Sequence, residues 1–286
     1  MPAVAGLRPM RDGDVAAADE IGVAAFADLD RRRGRPPPPP PDPAVSRLRI
    51  RHLLETDPGG AWVAVDADDR PVGAALALVR DGVWGLSLLV VRPDAQSAGA
   101  GGALLRAALA YGRDARGGII LASTDTRALR AYHRAGFTMH PSAVAEGRPA
   151  GMAEDRAVVP FDPGRDAAMA AAVGRAVRGA AHGPDLDALR AAGCELLAYP
   201  GRGFAAHRAG GLKLLAAADE GAASALLRTV LARAPVAAEV SWLTGAQRWA
   251  VDVALEAGLA LDVWGAVFLR GDVGPFAPYL PSGAYL

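Results

Sequence analysis

Val83 to Val91 is an apolar run of strand length, and Pro93-Asp94 stops it. The chain then passes through Gln96-Ser97-Ala98-Gly99-Ala100-Gly101-Gly102 into Ala103-Leu104-Leu105, where a helical pattern begins. A strand that re-enters a helix through glycine lets backbone N–H groups approach a diphosphate, and the helix N-terminus adds a favourable dipole. A glycine-rich turn alone is weak, because many are only tight turns, so the surrounding pattern has to decide. A dinucleotide-binding turn would read Gly-x-Gly-x-x-Gly after the first strand of its unit, whereas this turn comes late, after a run of strands. A Walker loop would need Gly-Lys-Ser/Thr, which this segment lacks.

The pattern before the turn predicts a short strand near Leu7, a helix over 13–29 and a second over 43–54. Between the helices lie Arg31 to Arg33, Arg35 and the prolines Pro36 to Pro41, which predict an extended connector. Ala61 to Val65 and Val72 to Val79, joined by Asp68-Asp69-Arg70-Pro71, read as a hairpin. After the turn come a helix over 100–111, a strand over 119–122 and a helix over 126–135 that stops at Gly136. Pro141 to Pro163, rich in Gly, Pro and charge, reads as a joint.

The second half repeats this texture more weakly. Helices are predicted over 166–178 and 185–192, strands over 195–199, 203–208 and 212–217, then a helix over 222–234, a strand over 238–243 and a helix over 247–257. A chain of 286 residues suits two domains, and the expected division is 1–145, a linker over 146–163, and 164–286.

Charge and cysteine usage exclude several classes. Residues 1–150 carry 19 basic and 17 acidic side chains and the remainder 12 and 14, so neither half has the basic excess of a nucleic-acid binder. Cys194 is the only cysteine and the five histidines are scattered, which speaks against disulfides and a metal site. With no signal h-region and no long uncharged apolar run, the expectation is a cytoplasmic protein that neither spans nor binds a membrane.

Gln96-x-x-Gly99-x-Gly101, preceded by Val91 and Pro93, resembles the pyrophosphate loop of the GNAT (Gcn5-related N-acetyltransferase) superfamily. About thirty residues later, Asp125-Thr126-Arg127-Ala128-Leu129-Arg130-Ala131-Tyr132-His133-Arg134-Ala135-Gly136-Phe137 resembles that family's Asn-x-x-Ala-x-x-x-Tyr-x-x-x-Gly-Phe segment. The two motifs in this order are far more specific than either alone, and the resemblance covers residue 7 to about 140. Asp125 departs from the usual Asn, which contacts the cofactor in the family, and Ala98 from a commonly basic residue.

The resemblance implies an α/β (α+β) fold of two GNAT-like mixed-sheet domains in tandem, the second a degenerate copy. It implies acetyl-CoA, or another acyl-CoA, as co-substrate and no metal. By it, the amides of Gln96, Ser97, Ala98, Gly99, Ala100 and Gly101 cradle the diphosphate, backbone groups of Leu89 and Val91 pair with the pantetheine arm, and Asp125 sits at the cofactor. Tyr132 then acts as general acid toward the departing thiolate, against the plainer role of a core tyrosine.

The expected reaction is acyl transfer to a primary amine, on a small molecule or peptide, in a ternary complex. The alternative is a non-catalytic CoA or metabolite sensor, or a structural GNAT-like protein. No carboxylate lies on Val83 to Val91, where Trp84 and Ser87 are the polar-capable side chains; Glu20, Asp28, Asp30 and His52 are possible bases through water, each also readable as a surface residue. In the second copy the corresponding turn reads Ala218-Asp219-Glu220-Gly221, whose carboxylates would repel a phosphate, and Ala254 stands where the tyrosine would align. The apolar tail 274–286 is expected to pack rather than fray. Monomer and homodimer stay open.

Overall fold

The computed structural model describes residues 4–96 and 99–286. Two compact units are present: the first holds the residues up to Val79 together with Trp84–Ala115, the second Arg80–Val83 together with Arg116–Leu286.

In the first unit the strands β1 (Gly6–Pro9), β2 (Ala61–Val65), β3 (Pro71–Arg80) and β4 (Val83–Val91) lie side by side in that order. β1 and β2 pair antiparallel, as do β2 and β3. The helices are α1 (Val15–Arg32), α2 (Pro43–Thr56) and α3 (Ala100–Tyr111). α2 starts where Asp42 accepts a bond from Ala44 N and Pro43 takes the first helical position, a place where proline removes no intrahelical bond. The buried Asp57 carboxylate ends it by accepting from Val79 N at 2.9 Å and from the Tyr111 hydroxyl at 3.0 Å, which ties α2 to β3 and α3.

Trp84, wholly buried, fixes α3 against the sheet by donating its indole N–H to Ala108 O at 3.0 Å. Gly112 follows α3 because a Cβ there would lie 2.1 Å from the Trp84 ring. The first unit thus places the end of β4 and the start of α3 on a packed platform.

The second unit contains β5 (Gly117–Ala122), α4 (Thr126–Arg134), β6 (Thr138–Gly147), β7 (Val159–Pro160), α5 (Pro163–Arg178), α6 (Asp185–Ala191), β8 (Glu195–Tyr199), β9 (Gly203–Arg208) and β10 (Gly211–Ala217). It continues with α7 (Glu220–Ala232), β11 (Ala238–Leu243), α8 (Arg248–Glu256), β12 (Ala260–Gly271) and β13 (Tyr279–Leu280). Its strand order is β5-β12-β6-β11-β10-β9-β8-β7, with β13 paired to β10.

Two of the longer strands depart from the sequence reading. Thr138–Gly147 is a strand, not the beginning of a loop, and the strand β12 was not anticipated at all. Pro141 and the break in apolar alternation hid the first; Asp262 and Gly265 interrupted the pattern of the second. Both are irregular, with register shifts where β12 pairs β6 and where β11 pairs β6. β12 lies between β5 and β6, antiparallel to each.

The core of this unit is packed by α7 and α8, whose Leu226, Leu227, Val230, Val253 and Ala254 are buried with Leu197, Leu215 and Val240 of the sheet. A polar cluster is also buried here. Arg178 donates to Leu286 O at 2.7 Å, the Tyr279 hydroxyl donates to the same oxygen at 2.6 Å, and Arg80 binds Asp185 through two bonds of 2.8 and 3.0 Å.

The tail therefore packs as expected, inside the second unit, with Tyr285 and Leu286 buried. Among the described residues no helix is long and apolar enough to cross a membrane.

Candidate active site

β4 ends in a single 3-10 turn, Pro93–Ala95, after which Gln96 folds back and donates its side-chain amide to Val91 O at 3.0 Å. That bond closes the turn on the strand it left. Gly99 then takes φ +83°, a left-handed conformation that costs any other residue strain, although the space around its missing Cβ is open. α3 starts at Ala100 with no side-chain cap at Gly99. The first-turn amides, those of Ala100 and Gly101 included, have no intrahelical acceptor, and the helix dipole makes this end favourable for an anion. Ser97 and Ala98 lie outside the described residues.

The strand leading into the turn is itself irregular. Trp84 packs on α3, and Val91 also sits on that side, its Cγ2 3.7 Å from where a Gly101 Cβ would be. Residues seven apart on a regular strand face opposite ways. Ser87, three residues after Trp84, faces α2 as regular alternation requires, so the pleat breaks between Ser87 and Val91. Such a break takes backbone groups out of a regular ladder, and Leu89, which is half-buried, lies inside it.

A contact that the sequence did not disclose sits at the start of this break. Arg49 on α2 donates from Nε to Ser87 Oγ at 3.0 Å and from Nη2 to the Ser87 carbonyl. Its signal in the sequence was slight: one hydroxyl inside an apolar run, and arginines alternating at 47, 49 and 51. The carboxylates weighed as bases are engaged elsewhere, Asp28 by Arg32 at 2.8 Å, Asp30 by Arg35 at 2.9 Å and Glu20 by Arg47 at 3.4 Å.

In the second unit, Asp125 caps α4 by accepting from Arg127 N at 2.9 Å, and its carboxylate pairs with the Arg127 guanidinium at 2.6 Å. Tyr132 is 5% exposed and packs edge-on to Phe268 of β12, with ring centroids 5.6 Å apart. Burial, reinforced by the Asp125 charge, pushes its phenol well above the ordinary value, so it carries its proton at neutral pH. A proton donor needs that state. His133 and His140 are exposed, and among the described residues no group of His, Cys, Asp and Glu is arranged to hold a metal.

The strand-to-helix turn of the second copy is filled from within. Asp219 caps α7 by accepting from Ala222 N at 3.0 Å, and Arg202 pairs with the same carboxylate at 2.5 Å. An anion already occupies the helix start that a phosphate would use. Ala254 is fully buried in the core, and burial pushes the Cys194 thiol up, away from a reactive thiolate.

Residues 24–137 match the model of the Acetyltransferase (GNAT) family. No curated protein matches the sequence. Among solved structures, a Pyrococcus horikoshii protein provisionally described as an acetyltransferase superposes with a TM-score of 0.79 at 17% identity, over 98% of this chain and 95% of that one. A tandem GNAT protein from the clavulanic acid biosynthesis pathway gives 0.55 at 15% identity, over 93% of this chain and 98% of that one. A GCN5-related N-acetyltransferase from Sphaerobacter thermophilus gives 0.57 at 17% identity, over 93% and 95%. At such identities these structures speak for the fold alone. Residues 24–137 are thus similar to the Acetyltransferase (GNAT) family, and the chain as a whole shares its fold with these solved structures, a tandem GNAT protein among them.

Proposed function

We propose that the protein is an acyl-CoA-dependent N-acyltransferase, using acetyl-CoA or a related thioester and passing the acyl group directly to a primary amine. The observation that carries this reading is the closed turn after β4: Gln96 bonded back to Val91, and Gly99 left-handed before an uncapped α3. Amides of Gln96 to Gly101 hold the diphosphate. Backbone groups of Leu89 and Val91 pair with the pantetheine arm, and an amide of that strand polarises the thioester carbonyl as in an oxyanion hole. Tyr132, kept protonated by burial, gives its proton to the thiolate as it leaves. In the balanced step the amine nitrogen forms a bond to the acyl carbon, the carbon–sulfur bond breaks, the phenol protonates the sulfur, and the proton lost by nitrogen returns to solvent.

Asp125, engaged by its own helix and Arg127, contributes by fixing the start of α4, the helix that carries Tyr132. Asp219 excludes a second diphosphate, so one cofactor binds per chain. The cell compartment that fits a single cysteine and an acyl-CoA substrate is the cytoplasm.

Calorimetric titration with acetyl-CoA tests the reading. One site per chain is expected, lost in Gly99→Glu, which puts a carboxylate where the phosphates approach. Tyr132→Phe is expected to retain that binding while acyl transfer, followed as thiol release, falls about 100-fold or more. Absence of acetyl-CoA binding by the native chain would sink the proposal, and full transfer by Tyr132→Phe would remove the acid from it.

A further inference from the structure

We propose that the cavity between α5 and α6 is a binding site for a free apolar α-amino acid of leucine to phenylalanine size, with the side chain inside and the ammonium and carboxylate groups at the mouth. Its residues all belong to the second unit, and nothing in it depends on the acyltransferase reading.

The cavity measures about 150 Å³, and an apolar cavity of that size holds a benzene-sized group. Its floor is closed, since Ala170, His182 and Leu196 are buried. Phe161 and Leu186 stand as half-buried walls. These surfaces are held in place by bonds of their own. Phe161 N donates to Leu196 O at 2.9 Å, and Phe204 packs edge-on to the Phe161 ring. His182 shows the cavity its ring but no unengaged nitrogen, because Arg178 lies 2.8 Å from Nδ1 and the Tyr279 hydroxyl 3.1 Å from Nε2. A ligand meets no side-chain hydrogen bond at the bottom, so only an apolar group is favourable there.

The mouth carries both signs of charge. Asp187 and Arg190 stand one turn apart on α6 at the exposed rim, their charged atoms 3.6 Å from each other. An ion pair that long and that exposed is weak and gives way readily to a ligand. A lone carboxylate would gain Arg190 and be repelled by Asp187; a lone amine would gain Asp187 and be repelled by Arg190. A zwitterion satisfies both, its carboxylate taking the guanidinium and its ammonium the aspartate in charge-assisted bonds. In an α-amino acid those two groups sit on one carbon, which also carries the side chain that enters the cavity. A charged side chain would have to shed its water among apolar walls, and a methyl group would leave most of the cavity empty, so acidic, basic and very small amino acids are excluded.

The test is calorimetric titration of the full chain, without acetyl-CoA, with L-phenylalanine and L-leucine beside L-alanine, phenethylamine and 3-phenylpropionate. Phenylalanine and leucine are expected to bind at one site per chain. Phenethylamine lacks the carboxylate and 3-phenylpropionate the amine, and each should bind about 10-fold more weakly than phenylalanine, the effect of one charged hydrogen bond at an exposed rim. Arg190→Gln should weaken phenylalanine by a similar factor. Alanine should not bind measurably. Ala171→Leu, which fills the cavity from α5, should abolish binding, and a thermal melt of each variant reports whether it is folded.

No binding of either amino acid by the native chain, equal affinity for phenylalanine and either half-molecule, alanine bound as tightly as phenylalanine, or unchanged affinity in Arg190→Gln would each overturn the proposal. Binding that survives Ala171→Leu would put the amino acid elsewhere, the acceptor site of the transferase included, and overturn it as well. Should Ala171→Leu fail to fold, Arg190→Gln decides alone, because its side chain lies at the surface.

Discussion

Gly99 and Gly112 flank α3 and are glycines for different reasons. Gly99 is left-handed with open space around it; Gly112 has an ordinary φ of −94° but abuts the Trp84 ring. Substitution should therefore separate binding from stability. Gly99→Ala is expected to cost about 1 kcal/mol in conformational strain and to weaken acetyl-CoA binding, because the turn that aims the amides must shift. Gly112→Ala forces the indole to move, with an expected loss of about 1–3 kcal/mol and little change in acetyl-CoA affinity. Denaturant melts beside calorimetry would distinguish these outcomes. The first glycine was legible in the sequence because a motif surrounds it. The second was not, since its constraint comes from a side chain 28 positions earlier that only the fold brings to it.

At the scale of elements, the helices were the legible part, because their apolar residues keep a 3.6-residue rhythm and Gly136 marks the close of α4. The strands β6 and β12 were not, because their partners are far apart in sequence and their bulges destroy the alternation by which a strand is read. Arg49 was missed for a related reason: a lone arginine has no pattern, and its meaning comes from the strand it touches. The start of α7 also shows how the second copy could lose its ligand without losing its helix. Asp219→Ala should destabilise the protein by about 1 kcal/mol, as loss of an N-cap does, while Asp219→Asn, which can still accept from the Ala222 amide, should be nearly neutral. Thermal melts of the two variants would test this, and equal losses would mean that the Arg202 pair matters more than the cap.

For the whole molecule, the buried polar cluster makes stability depend on pH. Burial, together with the neighbouring Arg178 and Arg80, holds His182 well below the ordinary histidine value, and burial lowers His207 too. Unfolded histidines take up protons near pH 6.5, whereas these stay neutral while folded. Below that pH the unfolded state binds more protons, so stability falls as pH drops through about 6.5 and is regained as pH rises. Urea unfolding between about pH 7.5 and pH 5 should show this slope, shallower in His182→Gln; an identical slope in that variant would assign it to other groups.

β12 has a consequence for synthesis. It supplies partners to both β5 and β6, yet follows them in the chain by more than a hundred residues. As the chain leaves the ribosome, β5 and β6 emerge with that row of backbone donors and acceptors unmatched, and they wait for roughly 140 further residues, on the order of ten seconds at about 5–20 residues per second. Through that interval the nascent protein exposes sticky strand edges in place of a finished domain, so the order of translation rather than the stability of the folded state sets its exposure to aggregation and its need for a chaperone.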